Sequence, residues 1–336
     1  MSPITLPARA RTSVSEFPTL GPMVSDVILA SRRFDLVRSL RRGAIVFGLA
    51  IPLAVLPLAP LYPQAPPPSV SDPVVGPTRG SLVVAGGGDL GPEIWDRFVS
   101  LAGGEQARIV VIPTAAPDED LPDDWKGRDG LQATGARGLV ILHTRDPSEA
   151  DIESFVLPLQ EATGVWLPGG RPWRLVDAYL HTRVHEELYG LLNRGGVIGG
   201  TSAGASIQAS FLIRGDPETN QVVYSPDYTE GFGFLERVAV DQHLLARGRE
   251  ADLWQVLDIH PELLGIGLDE GTALVIQGNR AEVIGESQVL LYDASAASMR
   301  PSRLGAGTVF DLGSRELIGQ AGPGFPTRGT VHGDDF

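Results

Sequence analysis

Short apolar runs alternate with longer helical stretches over most of the chain after residue 80. The runs are rich in β-branched residues and apolar on both faces, and they lie at 81–85, 107–113, 138–142, 164–168 and 195–199. Runs of this kind are typical of buried strands in a parallel sheet. The stretches between and after them predict helices at 92–102, 148–162, 172–193 and 203–212. The pattern therefore predicts an α/β fold with a mainly parallel sheet and helices on both of its faces.

The pattern changes after residue 236. Apolar runs follow one another more closely there, and the pair Gly278-Asn279 separates TALVIQ (272–277) from AEVIG (281–285). A Gly-Asn pair between two strands is typical of a two-residue hairpin. We therefore expect mixed or antiparallel strand pairing at this end of the chain.

The N-terminal part has a different character. Residues 1–42 contain seven arginines and three acidic residues, and residues 43–62 contain no charged residue. An apolar segment with a basic flank is typical of an export signal or an N-terminal membrane anchor. A buried core helix is the alternative, but Pro52, Pro57 and Pro60 would break a helix in a soluble protein. We therefore expect an exported protein that works in the periplasm or outside the cell, either tethered or released.

Six prolines occur between residues 63 and 78, which indicates an extended linker. The predicted organisation is a basic segment, a signal or anchor segment, a Pro-rich linker, a catalytic α/β domain and a C-terminal extension. Their bounds are 1–42, 43–62, 63–79, 80–295 and 296–336.

Composition narrows the chemistry. Acidic residues number 41 against 27 Lys and Arg, which gives a net charge of −14, and this argues against a nucleic-acid partner. The chain has no cysteine, so disulfides, thiolate metal sites and a thiol nucleophile are excluded. Any covalent catalysis must therefore use an oxygen or nitrogen nucleophile, and the sequence predicts no metal and no cofactor.

Two motifs are weak evidence for a nucleotide site and for a metal site, respectively. The stretch from Gly86 to Gly91 fits G-x-G-x-x-G after the first strand, but the second strand ends without an acidic residue that could hold a ribose. We interpret these glycines as a turn cluster. His181 and His185 are four residues apart, but the order H-x-x-x-H-E is not H-E-x-x-H and no third ligand is evident, so we expect a solvated helix face.

The most informative motif is G-x-S-x-G, formed by residues 200–204 around Ser202. It stands at the end of an apolar strand and at the start of a predicted helix. A tight strand-to-helix turn strains the serine backbone and exposes its hydroxyl, and only small neighbours allow this approach. The following helix offers unpaired N–H groups to a developing oxyanion. Ser202 is therefore the candidate nucleophile.

A serine nucleophile needs a base that is oriented by a carboxylate. His243 lies at a strand end, and Asp269 or Glu270 follows the apolar run LLGIGL. This arrangement has the chain order Ser, His, acid, whereas an α/β-hydrolase has the order Ser, acid, His. An α/β-hydrolase esterase would have to recruit His332 from the Gly-rich and Pro-rich tail, which makes it the second interpretation.

Four blocks together resemble a known family. GGTSAGASI, the upstream LPGG (167–170) and the downstream DQHLLARGR (241–249) and HPELLGIGLDEGTAL (260–274) are similar to those of the cyanophycinase and peptidase E (aspartyl dipeptidase) family of serine peptidases. The likeness spans about residues 80–292, and the blocks are closer to the cyanophycinase branch. It implies a flavodoxin-like domain of the class I glutamine amidotransferase type. It also implies a peptide or poly-aspartyl-arginine substrate, and it leaves a homodimer open.

The resemblance also implies roles for individual residues. Ser202 would be the nucleophile, His243 the base and Glu270 the orienting acid. The N–H groups of Gly170 and Ala203 would form the oxyanion hole. The residues implied to line a pocket for a β-linked aspartyl residue are Asp241, Gln242, Arg247 and Arg249.

Two positions depart from the family pattern. Where the substrate loop commonly reads G-G-D-Q, this chain has Gly169-Gly170-Arg171-Pro172, so Arg171 becomes a further candidate substrate residue. Where a further arginine often follows R-x-R, this chain has Asp252. These departures leave open whether another β-aspartyl peptide or an α-aspartyl dipeptide is preferred to the β-Asp-Arg polymer. A binding protein with a silent site is a separate alternative, and the presence of all three triad residue types and of the oxyanion glycine argues against it.

Overall fold

The computed structural model describes residues 73–117, residue 125 and residues 127–320. Most of the predicted N-terminal organisation, residues 1–72, lies outside the described residues, as does the tail that contains His332. Within the described residues, no helix is long and apolar enough to cross a membrane. The predicted signal or anchor segment and the location of the protein therefore stay predictions.

The described residues form two sheets. The strands of the larger sheet are β1 (Ser81–Ala85), β2 (Ile109–Val111), β3 (Val140–Ile141), β4 (Gly164–Leu167), β5 (Val197–Thr201), β9 (Thr272–Gln277), β10 (Arg280–Gly285), β13 (Thr308–Asp311) and β14 (Glu316–Gln320). The strands of the smaller sheet are β6 (Ala209–Phe211), β7 (Leu235–Gln242), β8 (Leu264–Leu268), β11 (Gln288–Asp293) and β12 (Ser302–Gly305).

The larger sheet has the strand order β14-β13-β10-β9-β1-β5-β4-β2-β3. Its four pairings from β1 to β3 are parallel, and its four pairings from β1 to β14 are antiparallel. The antiparallel half begins with the hairpin of β9 and β10, whose turn at Gly278 has the positive φ of 57° that such turns require. The prediction of this hairpin is confirmed.

The smaller sheet has the order β12-β11-β8-β7-β6. Strands β6, β7 and β8 are parallel, and β8, β11 and β12 are antiparallel. Because β7 and β8 are parallel neighbours, the residues that follow them meet at one edge of the sheet. This edge carries His243 and Glu270.

Helices cover the larger sheet on both faces. The helices of the described residues are α1 (Pro92–Leu101), α2 (Arg128–Ala133), α3 (Pro147–Ala150), α4 (Glu153–Glu161), α5 (Pro172–Tyr179), α6 (Arg183–Asn193), α7 (Ala203–Ser206) and α8 (Asp252–Leu257). Of these, α8 packs on the smaller sheet, in a cluster with Leu290 and Tyr292 of β11. Alternate residues of β1 belong to different cores: Leu82 packs in a cluster with α4 and α6, and Val83 packs in another with α1. Both faces are therefore buried, as the runs of apolar residues predicted.

The α/β prediction is confirmed, but the share of parallel pairings and the bounds of several helices are wrong. The helix predicted at 148–162 is divided into α3 and α4, and the one predicted at 172–193 into α5 and α6. Only half of the pairings in each described sheet are parallel, because the strands after residue 270 return as hairpins. The helix predicted at 203–212 ends at Ser206. Residues 209–211 instead pair with β7, and the carbonyl of Ile207 accepts a hydrogen bond from Phe232 N. The smaller sheet thus takes the backbone groups that a longer helix would have used.

Candidate active site

Ser202 occupies a strained turn between β5 and α7. Its backbone has φ 55° and ψ −114°, a combination that costs free energy and persists only where the surroundings impose it. Two glycines make the turn possible: a Cβ on Gly200 would lie 2.2 Å from the Gly204 carbonyl oxygen, and one on Gly204 would lie 1.9 Å from the Leu167 carbonyl oxygen. The G-x-S-x-G pattern is therefore required by the close approach of strand and helix.

A chain of hydrogen bonds links Ser202 to a histidine and a carboxylate. His243 Nε2 lies 2.9 Å from Ser202 Oγ, and His243 Nδ1 lies 2.5 Å from Glu270 Oε1. With Nδ1 protonated and donating to the carboxylate, Nε2 is the acceptor for the serine hydroxyl. His243 follows β7 with φ 55°, and its N–H donates to the Gly86 carbonyl. This geometry allows Ser202 to transfer its proton to His243.

The neighbouring carboxylate, Asp269, has a different position. Its Oδ1 accepts hydrogen bonds from the N–H groups of Leu245 (3.0 Å) and Ala246 (2.9 Å), and its Oδ2 accepts one from Ser287 Oγ at 2.7 Å. These bonds hold the loop that follows His243. Of the two carboxylates that the sequence left open, Glu270 is the one beside the imidazole.

The glycine cluster after β1 lies against the His–Glu pair. Gly87 has φ 120°, and a Cβ on it would lie 2.2 Å from His243 Cε1. Gly88 has φ 69°, and a Cβ there would lie 2.8 Å from Cβ and Oε2 of Glu270. The sequence indicated a turn here but missed this role. The signal was three successive glycines directly after a strand.

The loop that contains Gly169 and Gly170 lies over the serine. A Cβ on Gly169 would be 3.2 Å from Ser202 Cβ. Gly170 has φ 147°, and a Cβ on it would lie 2.0 Å from the Ala115 carbonyl oxygen. Neither Gly170 N–H nor Ala203 N–H donates a hydrogen bond to another of the described residues. Both groups are therefore available to an oxygen bound near Ser202.

A cavity of about 540 Å³ opens beside these residues. Besides Ser202 and His243, its lining includes Gly87, Gly88, Asp89, Leu90, Trp95, Gly127, Asp129, Gly130, Gly169, Gly170, Pro172, Thr201, Arg214, Asn220, Gln242, Arg247 and Arg249. Three arginines therefore face the same space as the serine hydroxyl.

Two of the three arginines predicted to bind substrate, Arg247 and Arg249, line the cavity, and their surroundings differ. Arg247 is exposed, and its guanidinium makes no hydrogen bond or ion pair within the described part of the chain. Arg249 is buried, and its Nη1 donates to the carbonyl oxygen and to Oε1 of Gln242, both at 3.0 Å. Gln242 Nε2 in turn donates to Ser206 Oγ at 3.2 Å. Arg249 is thus held in place, whereas Arg247 is free to follow a ligand.

Of the other three predicted substrate residues, Gln242 lines the cavity, whereas Asp241 and Arg171 do not. Asp241 is 0% exposed and forms a bidentate pair with Arg214. Arg171 directs a guanidinium nitrogen to the carbonyl of Asp216, and its own N–H donates to Ala115 O at 2.8 Å. Both side chains support the cavity wall from behind. Arg214 and Asn220, which do line it, were not found from the sequence, because no local pattern marks them.

The histidine pair set aside above is only partly a solvated face. His181 is exposed and lies 3.2 Å from Glu230, but the His185 ring packs against Phe232 and Tyr189. No group of three or more His, Cys, Asp or Glu that could hold a metal ion occurs among the described residues.

Burial lowers the pKa of His243 below its ordinary value of 6.5, the hydrogen bond that His243 donates to Glu270 opposes this, and the charge of Arg247 lowers the pKa further. A histidine that acts as base must be neutral, so activity is expected to rise with pH through this pKa. We therefore expect the acid limb of kcat/KM to lie below pH 6.5 and to move to higher pH in Arg247→Ala. Rate measurements from pH 4 to 8 on both proteins test this, and an unchanged limb in the variant would contradict it.

Comparisons with known proteins agree on one relationship. The model of peptidase family S51 matches residues 82–284. A cyanophycinase from Geminocystis herdmanii is 34% identical over 228 residues, which cover 66% of this chain and 83% of the relative. A cyanophycinase from a Nostoc species is 31% identical and covers 64% and 74%. The crystal structure of a peptidase from an acI-B1 Actinobacterium superposes with a TM-score of 0.56 at 26% identity and covers 70% of this chain and 98% of that one.

Proposed function

The chain belongs to peptidase family S51 and is a serine-type peptidase, and we propose that it hydrolyses aspartyl peptide bonds of the β-Asp-Arg type through Ser202, His243 and Glu270. One observation carries this proposal: the hydrogen-bonded chain of these three side chains opens into a cavity lined by arginines. The similarity to cyanophycinases supports the choice of an aspartyl substrate.

The reaction follows from the geometry. Ser202 Oγ attacks the scissile carbonyl carbon while His243 Nε2 takes its proton, and Glu270 stabilises the imidazolium that forms. The N–H groups of Gly170 and Ala203 donate to the oxyanion. Collapse breaks the C–N bond, and the leaving amine takes the proton from His243. Water, activated by His243, then hydrolyses the acyl ester at Ser202 and releases the carboxylic acid.

The proposed substrate explains the arginines. A β-linked aspartyl residue carries a free α-carboxylate next to the scissile bond. A guanidinium binds a carboxylate through two parallel hydrogen bonds and keeps its charge at every working pH. Arg249 provides a fixed cation and Arg247 an adaptable one on the same cavity wall. Gln242 lines the same cavity, Asp241 pairs with the lining residue Arg214, and Arg171 binds the carbonyl of Asp216.

The fold of the catalytic domain fits this chemistry. We propose that the parallel half of the larger sheet corresponds to a flavodoxin-like domain of the class I glutamine amidotransferase type. Its strands are covered by helices on both faces, and the nucleophile stands in the turn between β5 and α7.

Arg247→Ala is expected to raise KM for β-aspartyl peptides by roughly 10-fold to 100-fold, because the variant loses a charge-assisted hydrogen bond to the substrate carboxylate. Labelling of Ser202 by a small fluorophosphonate is expected to persist, because the triad is untouched. Steady-state kinetics and labelling of the same preparation test both statements. Arg303→Gln, which removes an exposed arginine outside the cavity lining, is the matched control. An unchanged KM in Arg247→Ala would remove this residue from the substrate site.

Turnover of three substrate classes tests the proposed function itself. The wild-type enzyme is expected to prefer the β-Asp-Arg polymer or β-aspartyl dipeptides to α-aspartyl dipeptides. A preference for α-aspartyl dipeptides would assign it to the peptidase E type. Cleavage of simple esters alone would contradict an aspartyl peptidase.

A further inference from the structure

Arg214 is a buried cation at the cavity that the proposed mechanism does not use. It follows β6, is 1% exposed and lines the cavity beside Arg249. Its Nε and Nη2 donate to the two carboxylate oxygens of Asp241, both at 2.7 Å, and Nη2 also donates to Asp252 Oδ2 at 2.7 Å. One guanidinium therefore pairs with two carboxylates.

The backbone of Arg214 is strained. Its φ is 57°, in the left-handed region that an arginine seldom occupies. Two other non-glycine residues of the cavity lining share this property, Ser202 and His243, each with φ 55°. Strained residues cluster at functional sites because the surrounding structure must hold them there. Arg214 is thus built into the site in the same manner as the two proposed catalytic residues.

Arg214 also fixes part of the cavity wall. Its Nη1 donates to the Asn220 carbonyl at 3.1 Å, and its N–H donates to the Val223 carbonyl at 2.9 Å. Arg171 binds the carbonyl of Asp216 in the same loop. Residues 215–222 are therefore held at both ends, and Asn220 faces the cavity. Arg171 and Asp252, which take part in these contacts, are the two departures from the family pattern noted above.

The position of Asp241 explains how Arg214 affects substrate binding. Asp241 Oδ1 lies 3.9 Å from Arg249 Nη1, farther than its bonds to Arg214. Both carboxylate oxygens of Asp241 accept hydrogen bonds from Arg214. Arg249 therefore donates to the neutral Gln242 instead, and its positive charge stays available to a ligand in the cavity. A buried carboxylate without a partner is costly. Without Arg214, Asp241 would therefore take Arg249 as its partner.

We propose that Arg214 is a positioning residue that determines substrate affinity: by occupying the carboxylate oxygens of Asp241 and Asp252, it leaves Arg249 available to the substrate carboxylate. This inference rests on the proposed function. According to this inference, a residue outside the triad controls how much positive charge faces the cavity.

Arg214→Lys tests this inference because lysine keeps the charge but cannot bind two carboxylates in the same fork. We expect KM for the β-aspartyl peptide to rise about 10-fold or more, with a much smaller change in kcat. Arg97→Lys is the matched control. Arg97 forms a second bidentate pair, with the buried Glu282 at 3.1 and 3.4 Å, and lies outside this cavity lining. It is expected to leave KM unchanged.

A rescue experiment separates positioning from stability. Asp252→Asn, added to Arg214→Lys, removes one of the two carboxylates. The lysine at position 214 then has only Asp241 to bind, so that Asp241 competes less for Arg249. We expect this double variant to recover part of the lost affinity, which a merely structural role of Arg214 would not produce. If Arg214→Lys alone does not fold, the same Arg→Lys comparison is made between Asp252→Asn and the double variant.

A second measurement does not depend on turnover. L-aspartate is expected to protect wild-type Ser202 from fluorophosphonate labelling, and Arg214→Lys is expected to need about 10-fold more L-aspartate for the same protection. Protection that is about 10-fold weaker in Arg214→Lys, together with no hydrolysis of β-aspartyl peptides by the wild type, would contradict the proposed function but support the role of Arg214 in carboxylate binding. Hydrolysis with equal KM and equal protection in wild type and Arg214→Lys would overturn the inference alone.

Discussion

Ser202→Ala and His243→Ala are each expected to lower kcat by about 10⁵-fold to 10⁶-fold, because the members of such a triad act as one unit. Glu270→Gln is expected to lower kcat by roughly 10³-fold to 10⁴-fold. The amide cannot stabilise the imidazolium as the carboxylate does across its 2.5 Å contact with His243 Nδ1. Steady-state hydrolysis of an aspartyl peptide and labelling by a fluorophosphonate check these losses.

Two carboxylates serve as controls for Glu270. Glu262→Gln removes a different His–Glu pair, with His260 at 3.5 Å, on the surface, and activity should stay near that of the wild type. Asp269→Asn tests the alternative acid. Near-normal turnover by Glu270→Gln together with an inactive but folded Asp269→Asn would move the orienting role by one residue.

Gly87→Ala is expected to lower kcat/KM by about 10²-fold or more, although residue 87 contributes no reacting group. The new Cβ would lie 2.2 Å from His243 Cε1, so the imidazole must move away from Ser202. A displacement of this kind removes the alignment on which proton transfer depends. The positive φ of 120° adds strain to the loop. Activity and thermal unfolding of the purified variant check this prediction.

Gly91→Ala is the matched control in the same glycine-rich loop. A Cβ on Gly91 would have a single neighbour within 4 Å, Glu286 Oε1 at 3.9 Å, and its φ of −64° suits alanine. We expect activity close to that of the wild type. A fully active Gly87→Ala would show that the imidazole tolerates the displacement. Equal losses in both variants would indicate a general requirement of the loop.

Local patterns predicted most of the elements, and they failed where distant parts of the chain intervene. Runs that are apolar on both faces identified the parallel strands, because both faces of that half are covered by helices. The predicted helix at 172–193 is two helices, α5 and α6. The chain turns sharply between them at His181, whose φ is 63°. Nothing in the composition of that stretch marks the break, since it contains neither proline nor glycine at that point.

Some residues of the candidate site could likewise be identified from the sequence, and others could not. Ser202 is recognisable from the sequence because the strand, the turn and the small residues around it are consecutive in the chain. The choice between Asp269 and Glu270 as the orienting acid cannot be made from the sequence, because both residues follow the same strand. The structure separates them: Asp269 accepts N–H groups from the loop after His243, and Glu270 reaches the imidazole.

The sequence by itself determined the class of fold, the candidate nucleophile and the exclusion of thiol chemistry, since each depends on residue type and on spacing of a few positions. Tertiary structure alone decided which charges face the cavity. Asp241 and Arg249 are eight residues apart, and the sequence placed both in the cavity. In the structure Arg214, 27 residues before Asp241, pairs with Asp241 in the interior, whereas Arg249 lines the cavity. Electrostatic pairing depends on distances of a few ångströms across the packed interior, and only the packing of β6, β7 and α8 sets these distances.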